Sequence, residues 1–194
     1  MKIVLATGNT HKLREVQALL ADSGLEIVGL DAWPDLGEAP EDDPTFAGNA
    51  LQKAHHVYAQ LGIPTVADDS GIEVRALGWV PGVRSKRWTP QGTDSANNAK
   101  LIAELSDQTD RMAQYRCAIG LVTAAGELTA EGTCTGTIGH EPRGDGGFGY
   151  DPYFWPDACP GRTMAEISLS EKNTISHRAQ AFRELPRLVK SLLG

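Results

Sequence analysis

The sequence predicts an α/β protein with a mixed sheet, and three patterns carry that expectation. The chain starts as strand, turn and helix: a β-branched run over residues 2–6, the turn Thr7-Gly8-Asn9-Thr10, then the apolar stripe Leu13, Val16, Leu19 and Leu20. Apolar strands and amphipathic helices go on alternating through the first half of the chain. Residues 115–122 and 127–136 then read as two strands joined by Thr123-Ala124-Ala125-Gly126, a hairpin that breaks strict βαβ alternation. A mixed sheet, not a purely parallel one, follows.

The first helix spans residues 11–23, with Asn9 or Thr10 as its cap. A strand–turn–helix start aims backbone amides at the mouth of the turn, which makes an anion site. Lys12 lies in the first turn, where a cation opposes the helix dipole; it serves a ligand or is simply solvated. No P-loop is present, because the Gly-Lys-Ser/Thr ending is missing. Residues 24–30 form a second strand. The Pro-, Gly- and acid-rich loop 31–44 is either a solvated loop or a mobile arm bringing Glu41 to a metal. A helix over 45–61 is capped by Thr45 and buries Ala50, Leu51, Ala54, Val57, Tyr58 and Leu61, with Asn49 and Lys53 sharing one face. His55 and His56 are adjacent, so they diverge and read as surface residues.

Residues 63–67 form a buried strand that ends at Asp68-Asp69-Ser70-Gly71. Ligands of open α/β sheets bind beyond strand ends, and paired carboxylates there suit a hard divalent cation. A solvated turn of the same residues is the alternative. Residues 72–77 alternate like a further strand, 78–83 turn, and 93–105 form a helix. The loop 143–152 is dense in glycine and carries Phe148, which can stack on a base or pack in the core. A last helix over 176–193 starts at Ser176 and is interrupted at Pro186, with Lys172, His177 and Arg178 gathered near its start.

Composition narrows the function. A net charge of −7 excludes broad binding to nucleic-acid backbone but leaves room for a local phosphate site. Cys117, Cys134 and Cys159 form no CxxC pair and imply neither a disulfide framework nor a zinc site. No apolar run reaches membrane-spanning length, and the apolar run at the start is too short for a signal peptide. A cytoplasmic protein that does not engage membranes is expected. The inventory of Lys12, Lys53, Lys172 and Arg178 for phosphates, Glu41, Asp68 and Asp69 for a metal and a water, and Phe148 for a base is that of a metal-dependent nucleotide hydrolase. A serine hydrolase using Ser70 and His177 is disfavoured, since no Gly-x-Ser-x-Gly elbow is present.

Six blocks in order resemble the inosine/xanthosine triphosphate pyrophosphatases. They are Thr7-Gly8-Asn9-Thr10-His11-Lys12, Glu41 with Thr45-Phe46 and Asn49-Ala50-Leu51-Gln52-Lys53-Ala54, Ala67-Asp68-Asp69-Ser70-Gly71, Pro81-Gly82-Val83, Gly146 to Phe154, and Glu171-Lys172-Asn173 with Ser176-His177-Arg178. The resemblance implies one elongated α/β domain over residues 1–194, two-lobed, with a mixed sheet flanked by helices and the active site in a central cleft. It also implies a homodimer, a magnesium requirement, and hydrolysis of purine nucleoside triphosphates to monophosphate and pyrophosphate. By position, Asp69 looks like the general base and a metal ligand, Glu41 like the second metal carboxylate, and Asp68 like a support of the metal site. Thr7, Gly8, Asn9, Thr10, His11, Lys12 and Lys53 match phosphate-binding segments. Ser70, Phe148, Gly149, Tyr150, Asp151, Lys172, His177 and Arg178 match substrate contacts. Departures from the family pattern fall at Ala47-Gly48, Trp79-Val80, Arg84 and Lys86, and bear on the cleft rim and dimer contacts. A Maf-like pyrophosphatase and a non-catalytic nucleotide-binding module are the rival readings.

Overall fold

The computed structural model describes residues 1–194. Its strands are β1 (Lys2–Leu5), β2 (Glu26–Val28), β3 (Thr65–Val74), β4 (Val80–Pro81), β5 (Met112–Thr123), β6 (Gly126–Ile138) and β7 (Phe154–Pro156). Its helices are α1 (Thr10–Leu19), α2 (Phe46–Leu61), α3 (Asp94–Glu104), α4 (Leu169–Ile175), α5 (His177–Arg183) and α6 (Leu185–Leu193). The sheet order is β2-β1-β3-β5-β6-β7, with β4 paired to β3. It is mixed, as expected: β1 runs parallel to β2 and β3, while β4 on β3 and β7 on β6 are antiparallel. No helix is long and apolar enough to cross a membrane.

The chain forms two compact units. The first comprises Met1–Asp69, Cys117–Gly132 and Arg178–Gly194, and the second comprises Ser70–Arg116 and Thr133–His177. In the first unit the period-two alternation of strands builds two cores on opposite faces of the sheet. Ile3, Leu5, Val66, Ile119 and Leu121 pack with Val16 of α1 and with Phe182, Leu185 and Leu188 of the last helices. Their neighbours Val4, Ala6, Ala67 and Val122 point the other way, onto Ala54 and Val57 of α2. The second unit has its own core, with Ile72, Val74, Leu101, Leu105, Tyr115, Phe154 and Met164.

Four elements depart from the sequence-based expectation. The strand expected to stop before Asp68 continues to Val74, so the acidic pair lies inside β3 and not at its end. Asp, Ser and Gly are poor strand formers, but the penalty per residue is small and the pairing of β3 with β1 and β4 outweighs it. The helix α4 was not anticipated, although Ser168 and Glu171 form a complete capping box, a signature readable in the sequence. Ser176 closes α4 instead of capping a long final helix. The interruption expected at Pro186 is present: the helix breaks between α5 and α6, and the proline sits in the first turn of α6, where its missing N–H would have no intrahelical partner anyway. The short strand β7 also escaped the pattern, because three residues are too few to show a period.

Candidate active site

Because Asp68 and Asp69 are consecutive in a strand, their side chains leave on opposite faces of the sheet. Asp68 follows Val66 toward α1 and α5, and Asp69 follows Ala67 toward α2. Each carboxylate therefore has its own direct contacts, although the charges of Lys12 and Lys53 reach both.

On the Asp68 side, the Oγ1 of Thr7 accepts from the Asn9 N–H at 3.2 Å, and Asn9 caps α1 by accepting from the N–H groups of His11 and Lys12 at 2.9 and 3.3 Å. The turn expected to offer free amides thus ties three of them to its own side chains. Lys12 leaves the first helical turn to meet Asp68 Oδ2 at 2.9 Å, so a buried carboxylate compensates its unfavourable place on the helix dipole. Arg178 donates from Nε toward Asp68 at 3.4 Å and from Nη1 to Glu15 at 2.6 Å. Glu15, buried on α1, closes this ionic chain and was not singled out in the sequence. The Cys117 thiol lies 4.0 Å from Asp68, and burial pushes it up, leaving it an unreactive core group. Burial raises the Asp68 carboxyl, but the charges of Lys12, Arg178 and Lys53 overcome that and hold it well below the usual carboxylate range.

On the Asp69 side, the stripe of α2 at Asn49, Gln52, Lys53 and His56 faces both the strand and the acidic loop. Asn49, 1% exposed, donates from Nδ2 to Asp69 at 3.0 Å while its Oδ1 accepts from the Asp43 N–H at 2.9 Å. Lys53 reaches Glu41 at 2.9 Å and Asp69 at 3.6 Å, so one ammonium is shared by two carboxylates. Gln52 holds Asp42 at 2.8 Å, and His56 meets the Gly37 carbonyl at 2.9 Å. The loop carrying Glu41 is thereby strapped along α2. Gly48 makes room for it: a Cβ there would stand 2.0 Å from the Asp43 side chain, which accounts for the small residue at this family departure. His55 pairs with Glu127 at the surface and takes no part in this set. Burial raises the Asp69 carboxyl, and Lys53, Asn49 and Lys12 only partly counter it. Lys53 itself is lowered by burial but raised more by Asp69, Asp68 and Glu41, and stays charged.

The second unit gathers the remaining candidates around Asp151. Its carboxylate takes Lys172 Nζ at 2.8 Å, the Phe148 N–H at 3.1 Å and the Tyr115 hydroxyl at 3.1 Å. Lys172 also stands 4.9 Å over the Phe148 ring, and Tyr115 stacks on His177 at 4.7 Å and 10°. Gly147 adopts φ +72°, and a Cβ there would fall 2.1 Å from Asp151 Oδ2, so only glycine fits this turn. Tyr150 is a core residue whose hydroxyl bonds the Ser85 carbonyl at 2.8 Å. Ser70 is half-buried in β3 at the first position of the second unit. Lys172 and His177 thus fall in the second unit and Arg178 in the first, although the sequence sets them close together. Trp79 has φ +68°, a left-handed conformation that favours glycine.

No three acidic, histidine or cysteine side chains are gathered closely enough to cage a metal by themselves. Of the three carboxylates expected at the metal site, Glu41 and Asp69 share the Lys53 ammonium, while Asp68 takes Lys12 and Arg178.

An α/β fold whose adjacent carboxylates are pushed apart in basicity and flanked by lysines has the marks of an enzyme site that moves a proton. The profile of the Ham1 family matches residues 3–188, and the chain belongs to that family. It is 48% identical over its full length to a dITP/XTP pyrophosphatase of Streptomyces avermitilis, covering 99% of that protein. It is 45% identical to the enzyme of that name from Mycolicibacterium paratuberculosis, over 98% of this chain and 96% of the other. Among solved structures, a HAM1 protein from Coxiella burnetii matches with a TM-score of 0.87 at 38% identity, over 98% of this chain and 99% of that one. The Ham1 protein of Staphylococcus aureus matches with a TM-score of 0.85 at 33% identity, with the same coverage.

Proposed function

We infer that this protein hydrolyses non-standard purine nucleoside triphosphates, the class of ITP, dITP and XTP, to the monophosphate and pyrophosphate. The observation that carries this is the divergence of two adjacent carboxylates in a chain that aligns end to end with dITP/XTP pyrophosphatases. Asp68 is kept ionised, with Lys12 and Arg178 both on its Oδ2, so it serves as a fixed charge that holds these two cations. Asp69 keeps a more basic carboxylate, oriented by Asn49 and Lys53, which suits it to accept a proton from water. In the reaction Asp69 Oδ1 or Oδ2 takes that proton, the water oxygen bonds to phosphorus, and the bond between the α- and β-phosphates breaks. Lys12 and Lys53 neutralise charge on the leaving pyrophosphate.

The donor set suits magnesium. Glu41 and Asp69 offer hard oxygen ligands and already share a cation, the Lys53 ammonium. Magnesium is commonly held by one or two carboxylates plus substrate phosphates, which matches a site without a complete protein cage. Glu41 and Asp69 would hold the ion, with Asp68 supporting the site through its charge, and the ion would supply charge neutralisation and substrate orientation. Phe148 to Asp151, Ser70, Lys172 and His177 are assigned to the nucleoside. The protein works as a single catalytic domain, in the cytoplasm and as a homodimer.

A panel of ITP, dITP, XTP, GTP and ATP, with magnesium and with excess chelator, tests the reading. Pyrophosphate should appear from the first three, at rates far above GTP and ATP, and only with the metal. Orthophosphate as the product, or full activity with chelator present, would refute it.

A further inference from the structure

The Gly149 peptide is gripped at both ends by one helix. Its N–H donates to Asp94 Oδ2 at 2.8 Å, and its carbonyl accepts from Asn98 Nδ2 at 2.9 Å. Asp94 and Asn98 stand four apart in α3, so they share a face and meet the two peptide groups on either side of Gly149. The orientation of the Asn98 amide is not arbitrary. A flipped amide would set its oxygen against the Gly149 carbonyl, acceptor to acceptor. In the orientation that remains, Asn98 is 8% exposed and its Oδ1 is buried with no hydrogen-bond partner. Holding Gly149 therefore leaves an acceptor unsatisfied, an arrangement that packing alone does not favour.

Steric fit cannot be what holds this glycine. It adopts φ +63°, yet a Cβ on it would meet nothing within 4 Å. The two hydrogen bonds are its visible restraint. On either side of it stand Phe148, whose N–H meets Asp151, and Tyr150, anchored on the Ser85 carbonyl. The other amide side chain of this helix, Asn97, takes the Thr89 N–H at 3.0 Å and gives its own N–H groups to the carbonyls of Ser85 and Lys86. The polar side of α3 is thus spent on shaping loop backbone.

We propose that Asp94 and Asn98 are positioning residues for nucleotide recognition: they clamp the Gly149 peptide and so set where Phe148 and Asp151 stand. This rests on the assignment of that loop to the nucleoside. Neither residue touches substrate in the proposal, so removing either should weaken capture and leave the chemical step alone. Lys86 also pairs with Asp94, at 2.9 Å, but both side chains are largely exposed, and such a pair contributes little.

The test measures steady-state hydrolysis of ITP and hydrogen–deuterium exchange of the full-length protein, wild type and variants. Asp94→Ala and Asn98→Ala should each raise KM about fivefold to tenfold, as expected for one hydrogen bond, with kcat within about twofold. They should also speed exchange of the segment 146–152. Asp94→Asn, which keeps an oxygen acceptor in place, should recover most of the loss, and Lys86→Ala should behave as wild type. KM values within twofold of wild type in both alanine variants would overturn the proposal. Failure of Asp94→Asn to recover would overturn it too. Should the alanine variants not fold, the wild type decides alone: a Gly149 amide that exchanges as fast as an exposed loop means that no clamp exists. A wild type that leaves ITP intact would refute the proposed function instead, while the exchange experiment would still decide the clamp.

Discussion

Asp69 illustrates how a buried carboxylate can be costly to the fold and useful to the reaction. Asp69→Asn keeps the shape and can still accept from Asn49, but it removes the basic oxygen. Turnover of ITP should fall about 10²- to 10⁴-fold, the usual range for loss of a general base. Burial raises this carboxyl, so the charge is unfavourable to folding. The melting temperature of the variant should therefore equal or exceed that of wild type. A variant that is both inactive and strongly destabilised would mean that the carboxylate is structural. Asn49 is the companion case, since one amide serves both Asp69 and the Asp43 backbone. Asn49→Ala should lower kcat about 10- to 100-fold, matching a lost hydrogen bond to a charged group. Asn49→Asp should be worse than alanine, because it sets a carboxylate against Asp69. Equal kcat for the two would argue against this contact. Arg178→Ala should destabilise the fold, because it takes away the cation that buried Glu15 and Asp68 share.

Among elements, α2 is the one that organises the acidic loop. Its stripe of Asn49, Gln52, Lys53 and His56 repeats at three and four residues, so a single helix face meets the whole stretch from Gly37 to Asp43. Gly48 gives a test whose sign is informative. In an ordinary helix interior, Gly→Ala stabilises by about 1 kcal/mol. Here the added Cβ would lie 2.0 Å from the Asp43 side chain, which itself bonds the Thr45 N–H and hydroxyl at 2.8 and 2.6 Å. Gly48→Ala should therefore lower the melting temperature and raise the magnesium concentration needed for half-maximal rate, since the Glu41 loop must move. A gain in stability with unchanged metal dependence would show that the loop is not seated on α2 as described.

At the scale of the whole molecule, the two carboxylates give stability opposite pH dependences. Asp68 is held below its ordinary value of 3.8, so the unfolded chain binds its proton more readily than the folded one. Its contribution is complete above that value and is lost as pH falls through the folded-state pKa. Asp69 is raised, so the folded state holds the proton more readily, and its contribution declines as pH climbs from 3.8 through the raised value. Melting temperatures recorded from about pH 1.5 to about pH 7 should separate them. Asp68→Asn should flatten the acid limb and melt lower at neutral pH, and Asp69→Asn should remove the opposing decline. Identical profiles for both variants would contradict the division of the pair between two faces.

Much of this molecule was legible in its sequence. Apolar periods two and three to four placed β1, α1, α2, α3 and the hairpin, and the residues Asn9, Thr45 and Thr93 cap helices because their oxygens reach the first free N–H groups. The mixed character of the sheet followed from one short hairpin link. Those features are local, and local chemistry decides them. The extent of β3 was not local: four poor strand formers are carried by neighbours that pair on either side of them. Nor was the company each acid keeps. Asp68 meets Arg178 across 110 positions, and Arg178 meets Glu15 across 163. No spacing rule spans such separations, because they are set by how the last helices pack on the sheet. Sequence alone named Asp68, Asp69, Glu41, Lys12 and Lys53 as the charged centre. That Asp68 anchors cations on one face while Asp69 stays basic on the other was decided by the tertiary structure, since alternation along a strand separates neighbours that the sequence sets side by side.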